Sequence, residues 1–310
     1  SFKGIGVDFA DLNVDGIPDL FVSNIAAEYS LEESHFMFIS TGNKEVMKHG
    51  IAPYKDRSVA MGVARSYWSW DTKLADFDND GRFEALQATG FLKGNVNRWP
   101  ELQELAIGND ENMAQYNVWP HFKAGDDLSG NAHIPFYVLD NKGRYYDLSA
   151  DIGIDQNHIS RGIAVADIDG DGDQDFAVAN QWEPSFLYRN NCQSCSNFIG
   201  LHLRFATGNQ KSSKTSVYAG HPVGLTRPAI GASAEVQLPN GRSLTAQVDG
   251  GNGHSGRRSQ DLHFGLGSVS TTQPVHVRLH WRDNDGKVHK DALTLTSGWH
   301  TVLLATSTSD

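Results

Sequence analysis

Three times along the chain, an alternation of apolar and polar residues breaks at a knot of acids and then resumes, over residues 6–24, 70–86 and 162–180. The flanks repeat with period two, as in Leu20 and Val22 or Phe176 and Val178, and carry the β-branched and aromatic residues that suit a half-buried pleated surface. Each unit therefore predicts a strand, an acidic loop and a second strand. Helical periodicity is nearly absent. Residues 136–148 predict a hairpin turning at Asn141 to Gly143, and residues 185–189 an outer strand. One acidic loop plus such a hairpin makes a four-stranded blade.

The spacing from Asp11 to Asp76 is 65 residues and from Asp76 to Asp167 is 91, so the second unit carries an insertion, placed at residues 95–130. An insertion of this length is either decorative or a partner-facing loop. Past Asn191 the repeat stops. Short strands are predicted at residues 197–205, 231–238, 243–248, 275–281, 292–295 and 301–304, parted by Asn240-Gly241, Asp285-Gly286 and other turns, with a long polar loop over 208–228. The expectation is an all-β protein: propeller-type blades over 1–191, then an antiparallel β-sandwich-like domain over 192–310.

In composition the 310 residues are globular, 39% hydrophobic and 20% charged. Lysine and arginine total 26 against 37 acids, a net charge of −11, which leaves no electrostatic footprint for a nucleic acid. No stretch approaches the ~20 apolar residues of a membrane span. Because residues 4–24 already read as strand, loop and strand, the chain is expected to begin inside a fold, as the mature or C-terminal part of a longer polypeptide.

Much of the acidic excess sits in the three knots, with acids or Asn at positions 1, 3, 5 and 9 and Gly at 6. The sets are Asp11, Asn13, Asp15, Asp19; Asp76, Asp78, Asp80, Glu84; and Asp167, Asp169, Asp171, Asp175. Alternate side chains on a tightly curled loop can converge on one Ca²⁺, which takes about 6–8 oxygen ligands. Position 7 would add a backbone carbonyl from Ile17, Arg82 or Asp173. The last acid at 9 and the strand flanks distinguish the motif from an EF-hand. Without a cation, such crowding of carboxylates costs on the order of several kcal/mol. Mg²⁺ fits less well, since it keeps more of its water. The first loop, with Asn13 and Pro18, is expected to bind weakest.

These units resemble FG-GAP or VCBS-type repeats of integrin-like β-propellers. Gly231-Ala232, residues 250–253, Ser259-Gln260 and the His-Phe-Gly-Leu-Gly run at 263–267 resemble an ASPIC/UnbV domain. Repeats, then Leu187-Tyr-Arg-Asn190, then an Asn-rich junction and a sandwich is the order of the cartilage-acidic-protein-like and bacterial UnbV family. The resemblance implies a calcium-stabilised protein that is secreted, at the cell surface or periplasmic. The family has no chemistry in common, and the expected role is binding a protein or glycan partner in adhesion, matrix or a surface complex. His254 departs from the aromatic the family tends to carry. A closed propeller needs ~4–8 blades, so the missing ones would come from N-terminal sequence or a partner chain, unless the array is open.

Cys192 and Cys195 are compatible with a redox pair, half a metal site or a disulfide. No second CxxC completes a zinc site and no His follows for haem, so a local disulfide pinning the junction is expected. His276 and His280, four apart on one strand, share a face and are possible co-ligands. Arg257, Arg258 and the seven tryptophans offer a sugar or anion platform, or pack as core. No GxSxG elbow, P-loop or HExxH site is present. The reading is a binding protein and not an enzyme. The alternative, a polysaccharide-acting enzyme or carbohydrate-binding subunit using the propeller cleft, would draw on Glu101, Glu104, Asp110 or Glu111 of the insertion, which have no diagnostic spacing.

Overall fold

Strands dominate the computed structural model, which describes residues 3–27, 33–108, 114–207, 212–222, 224–251 and 253–306, and burial alternates most regularly along strands such as 275–282. The first blade is β1 (Val7–Ala10), β2 (Asp19–Val22), β3 (Phe36–Ser40) and β4 (Tyr54–Asp56), paired antiparallel in that order. A short helix α1 (Ser58–Met61) leads to β5 (Ser69–Ala75) and β6 (Glu84–Thr89). The insertion follows with β7 (Val96–Asn97), α2 (Trp99–Gly108) and β8 (Asp126–Asp127), and the hairpin β9 (Phe136–Leu139) and β10 (Tyr145–Asp147) completes the second blade in the order β10-β9-β6-β5. The third blade has three strands, not four: β11 (Ser160–Ala166), β12 (Asp175–Asn180) and β13 (Phe186–Tyr188).

Each acidic loop joins the first two strands of its blade, so β1, β5 and β11 occupy equivalent positions, and β5 packs against both of the others. Two buried carboxylates stitch these inner strands. Asp8 of β1 accepts the Leu74 N–H of β5 at 2.8 Å, and Asp71 of β5 accepts the Ile163 N–H of β11 at 3.0 Å. Between the blades lie apolar cores, one built from Phe21, Met37, Leu74 and Tyr145, the other from Phe77, Leu86, Phe136, Ile163 and Phe176.

Insertion residues Trp99 and Leu128 bury against Ala27, with Trp68, Phe91 and Phe122 packed around them. The insertion thus contributes a small core of its own. It also contains the helix that period-two reading misses, which starts with Trp99-Pro100-Glu101, proline being suited to a first helical turn.

Beyond the junction, β14 (Asn197–Ala206), β15 (Ser216–Ala219), β16 (Thr226–Pro228), β17 (Ser233–Gln237), β18 (Ser243–Gln247), β19 (Leu262–Gly267), β20 (Val275–Arg282), β21 (Val288–Leu295) and β22 (Gly298–Leu303) form two sheets. One runs β15-β22-β14-β16 with β19 also on β14, the other β18-β17-β20-β21. A single core fills the space between them, including Ile199, Leu201, Phe264, Val277, Trp281 and Val302. Two expectations are corrected. β14 and β22 pair parallel, so the sandwich is not wholly antiparallel, and the segment 208–228, expected to be a long loop, holds β15 and β16. β15 is mostly exposed at the sheet edge, and so lacks the alternating burial that marks a strand in sequence.

The second domain does not stand apart from the blades. Residues 254–259 run along the inner strands, with Arg257 O accepting the Val165 N–H at 3.0 Å and the Ser259 N–H donating to Val165 O at 2.7 Å. Arg258 reaches across to Asp8 of β1 and donates to Leu74 O of β5 at 3.1 Å. One segment of the C-terminal domain therefore holds all three blades.

Candidate metal centres

The three acidic loops adopt one backbone conformation. Position 4 is left-handed in each (Val14 φ 59°, Asn79 φ 61°, Gly170 φ 79°), and so is position 6 (Gly16, Gly81, Gly172). Such a turn is nearly free for glycine and costly for a β-branched residue such as Val14. The side chain at position 1 anchors the turn by accepting the position 6 N–H: Gly16 to Asp11 at 2.9 Å, Gly81 to Asp76 at 2.8 Å, Gly172 to Asp167 at 2.8 Å. The carboxylate at position 9 accepts the position 2 N–H at 2.8 Å in all three, from Leu12, Phe77 and Ile168.

This scaffold brings together positions 1, 3 and 9. Oxygens of Asp76, Asp78 and Glu84 lie within 4.8 Å of one another, and so do those of Asp167, Asp169 and Asp175. That spread suits a cation bound to oxygen at about 2.3–2.6 Å. Position 5 is turned toward the loop itself, with Asp15, Asp80 and Asp171 each accepting the position 7 N–H of Ile17, Arg82 or Asp173 at 2.8, 2.7 and 3.0 Å. The Arg82 side chain pairs with Asp80, and the Asp173 carboxylate accepts from Asn79 at 3.0 Å. In the first loop, Asp11, Asp15 and Asp19 form no such triad among the described residues, and Asn13 spends its amide on Asp15 and on Ser40 O.

Electrostatics single out the second loop. Burial pushes Asp76 up to about 8 and Glu84 to about 9, with the neighbouring loop acids adding to the shift. Burial also raises Asp19 and Asp173 to about 6, and lifts Asp11, Asp78 and Asp175. Buried carboxylates held this far from ordinary values lack a compensating positive charge, which a bound cation supplies. The donor set, all hard oxygen, fits calcium in the second and third loops.

Cys192 and Cys195 form a disulfide, so the grouping of Asp173 with both sulfurs offers no thiolate to a metal. His276 and His280 lie on the exposed face of β20, and no cluster with metal-ligand spacing includes them among the described residues. Trp281 is core, Trp68, Trp70 and Trp99 cluster together, and Trp182 is exposed. Glu101 is exposed and pairs with Arg98, and Glu104 is exposed on α2. Asp110 and Glu111 lie outside the described residues.

Sequence reading overlooked the residues that touch the triads from the sandwich. The Trp299 Nε1–H donates to Asp167 at 2.7 Å, and a Cβ on Gly265 would fall 2.1 Å from an Asp76 carboxylate oxygen. The one signal was the glycine pattern of the 263–267 run, whose purpose appears only when the strand is seen against the loops.

Comparison with known proteins places domains of the expected kind on the chain. Residues 161–191 match the FG-GAP repeat, and residues 223–310 match the ASPIC and UnbV domain. Cartilage acidic protein 1 of Homo sapiens is 24% identical over 215 residues, covering 60% of this chain and 32% of that protein's length. The chain thus spans about a third of the relative, and the three findings agree with the family resemblance drawn from the acidic loops and the His263 run.

Proposed function

We propose that this chain is the calcium-stabilised part of an extracellular or periplasmic binding protein, of the adhesion or surface-complex type, with calcium in a structural role. The observation that carries the reading is the shared geometry of the loops: one left-handed turn, one set of anchoring hydrogen bonds, and two carboxylate triads, the second loop's with Asp76 and Glu84 buried. Asp76, Asp78 and Glu84 would hold one ion, and Asp167, Asp169 and Asp175 a second. The first loop, through Asp11, Asn13, Asp15 and Asp19, would hold the weakest. Calcium supplies charge neutralisation there and ties each loop to the two strands it joins, so binding free energy becomes folding free energy.

The FG-GAP and ASPIC/UnbV matches support an adhesion-type extracellular protein. A formed disulfide suits an oxidising compartment. No helix among the described residues is long and apolar enough to cross a membrane. The partner is a protein or a glycan, and the role is binding without turnover.

The test is metal analysis of the purified protein beside Asp76→Asn and Asp167→Asn. The reading expects the wild type to carry at least two calcium ions and each variant to lose one. A wild type that retains no calcium after dialysis against micromolar calcium would refute it.

A further inference from the structure

The second and third loops are not free at the rim of the blades, because the C-terminal domain closes over both. On the second loop, Asp78 O accepts the Ser196 N–H at 3.0 Å, Asn79 O accepts the Gly267 N–H at 2.9 Å, and Arg242 donates to Gly81 O at 2.7 Å. Gly265 is glycine because Asp76 and the Asn79 backbone occupy the space where a side chain would begin, the nearest atom 2.1 Å from its Cβ position. On the third loop, Trp299 donates to Asp167, and His263 bonds Gly172 O at 2.9 Å. Burial keeps the His263 imidazole neutral, so its Nε2 carries the proton it donates. Asn79 ties the two loops together through Asp173. By contrast, no hydrogen bond joins residues 11–19 to the sandwich among the described residues; that loop faces β17, β18, β20 and β21 across an open groove of about 780 Å³.

Resting on the calcium reading above, we propose that the sandwich completes the second and third cation sites, so that calcium binding and domain docking are one coupled equilibrium. Trp299 and Arg242 are positioning residues. Trp299 fixes the orientation of Asp167, a member of the third triad, and Arg242 holds the turn that carries Asp76 and Glu84. Groups that orient metal ligands typically change affinity about 10–100-fold when removed. Thermodynamic reciprocity then requires calcium to tighten docking by the same factor that docking tightens calcium. The first loop lies outside this coupling.

The experiment uses the full chain, stripped with EGTA and titrated with CaCl₂ by calorimetry. Hydrogen exchange is followed with and without calcium in peptides spanning 193–197 and 265–269, which carry the Ser196 and Gly267 N–H groups. In the wild type, calcium should slow exchange of those peptides at least ~10-fold, and Trp299→Phe and Arg242→Gln should each weaken calcium binding by ~10-fold or more. Calcium that binds the wild type without slowing these peptides would overturn the coupling, and so would unchanged affinity in both variants. A wild type with no binding heat and no metal content would sink the calcium reading itself, a distinct result. The wild-type exchange comparison needs no variant to fold.

Discussion

Arg258 of the C-terminal domain closes on Asp8 of the first inner strand, 250 residues away, and Asp8 is fully buried. The same carboxylate holds the Leu74 N–H, and the same guanidinium holds the Leu74 carbonyl, so one ion pair joins the first blade, the second blade and the sandwich.

Removing one partner of a buried pair strands the other charge, which costs about 3–5 kcal/mol. Arg258→Ala should therefore lower the unfolding free energy by about that amount in urea titrations. Asp8→Asn combined with Arg258→Gln should lose less than the sum of the single changes, as coupled sites do. A loss below ~1 kcal/mol for Arg258→Ala would show that the contact does not hold the blades.

Gly256 and Gly250 make a matched pair. A Cβ on Gly256 would fall 1.8 Å from Ile163 O and 2.2 Å from an Asp71 carboxylate oxygen, whereas one on Gly250 would meet only the Ile230 side chain at 3.5 Å. Gly256→Ala should cost several kcal/mol or abolish folding and Gly250→Ala should be nearly neutral, as overpacking against backbone requires. Melting temperatures of the two variants decide it, and equal values would contradict the placement of the 254–259 segment.

His35 gives the pH dependence a definite sign. It is fully buried between the Asn24 N–H at 3.0 Å and Ser66 at 2.6 Å, and burial pushes it down to about 3. Between about 6.5 and 3 the unfolded chain takes up a proton that the folded chain refuses, so stability falls as pH falls through that window. The slope of stability against pH below 6.5 should be shallower in His35→Gln by close to one proton, measured by urea titration at several pH values.

The second loop has the opposite sign in calcium-free protein. With Asp76 raised to about 8 and Glu84 to about 9, the folded state binds more protons than the unfolded state from about pH 4 upward. This loop's contribution to calcium-free stability should therefore be full below about pH 4 and be lost as pH rises through 8 to 9, opposite in sign to that of His35. Protons and calcium compete for the same oxygens, so calcium should stabilise more at pH 8 than at pH 6. Calorimetric melts with EGTA and with calcium at the two pH values test this, and an equal calcium effect would contradict it.

The blades were legible in the sequence because each is local. Strand, loop and hairpin are contiguous, and three copies of one register, from Asp11, Asp76 and Asp167, expose the pattern. What was not legible is non-local. Residues 254–259 read only as part of a domain motif, since nothing in Arg257-Arg258 announces a partner as distant as Asp8. The parallel pairing of β14 with β22 joins the two ends of the sandwich, which alternation along one strand does not encode. At the metal loops, spacing named the acids but could not separate the triad positions 1, 3 and 9 from position 5, which caps the backbone, nor foresee Trp299. Alternation in the insertion was masked by the residues that build its own small core, Trp99 and Leu128, and by the helix between β7 and β8.

The central claim is that the acidic loops are calcium sites on which the fold depends. The most direct measurement is a thermal melt of the calcium-loaded protein, repeated after EGTA and again after calcium is restored. One site filled at 100 times its dissociation constant adds about 2.7 kcal/mol, and each kcal/mol moves the midpoint of a domain of ~200 residues by about 2–4 °C, so two sites should give a reversible drop of at least ~10 °C. A midpoint that ignores both EGTA and calcium would contradict the account and leave the three loops as turns.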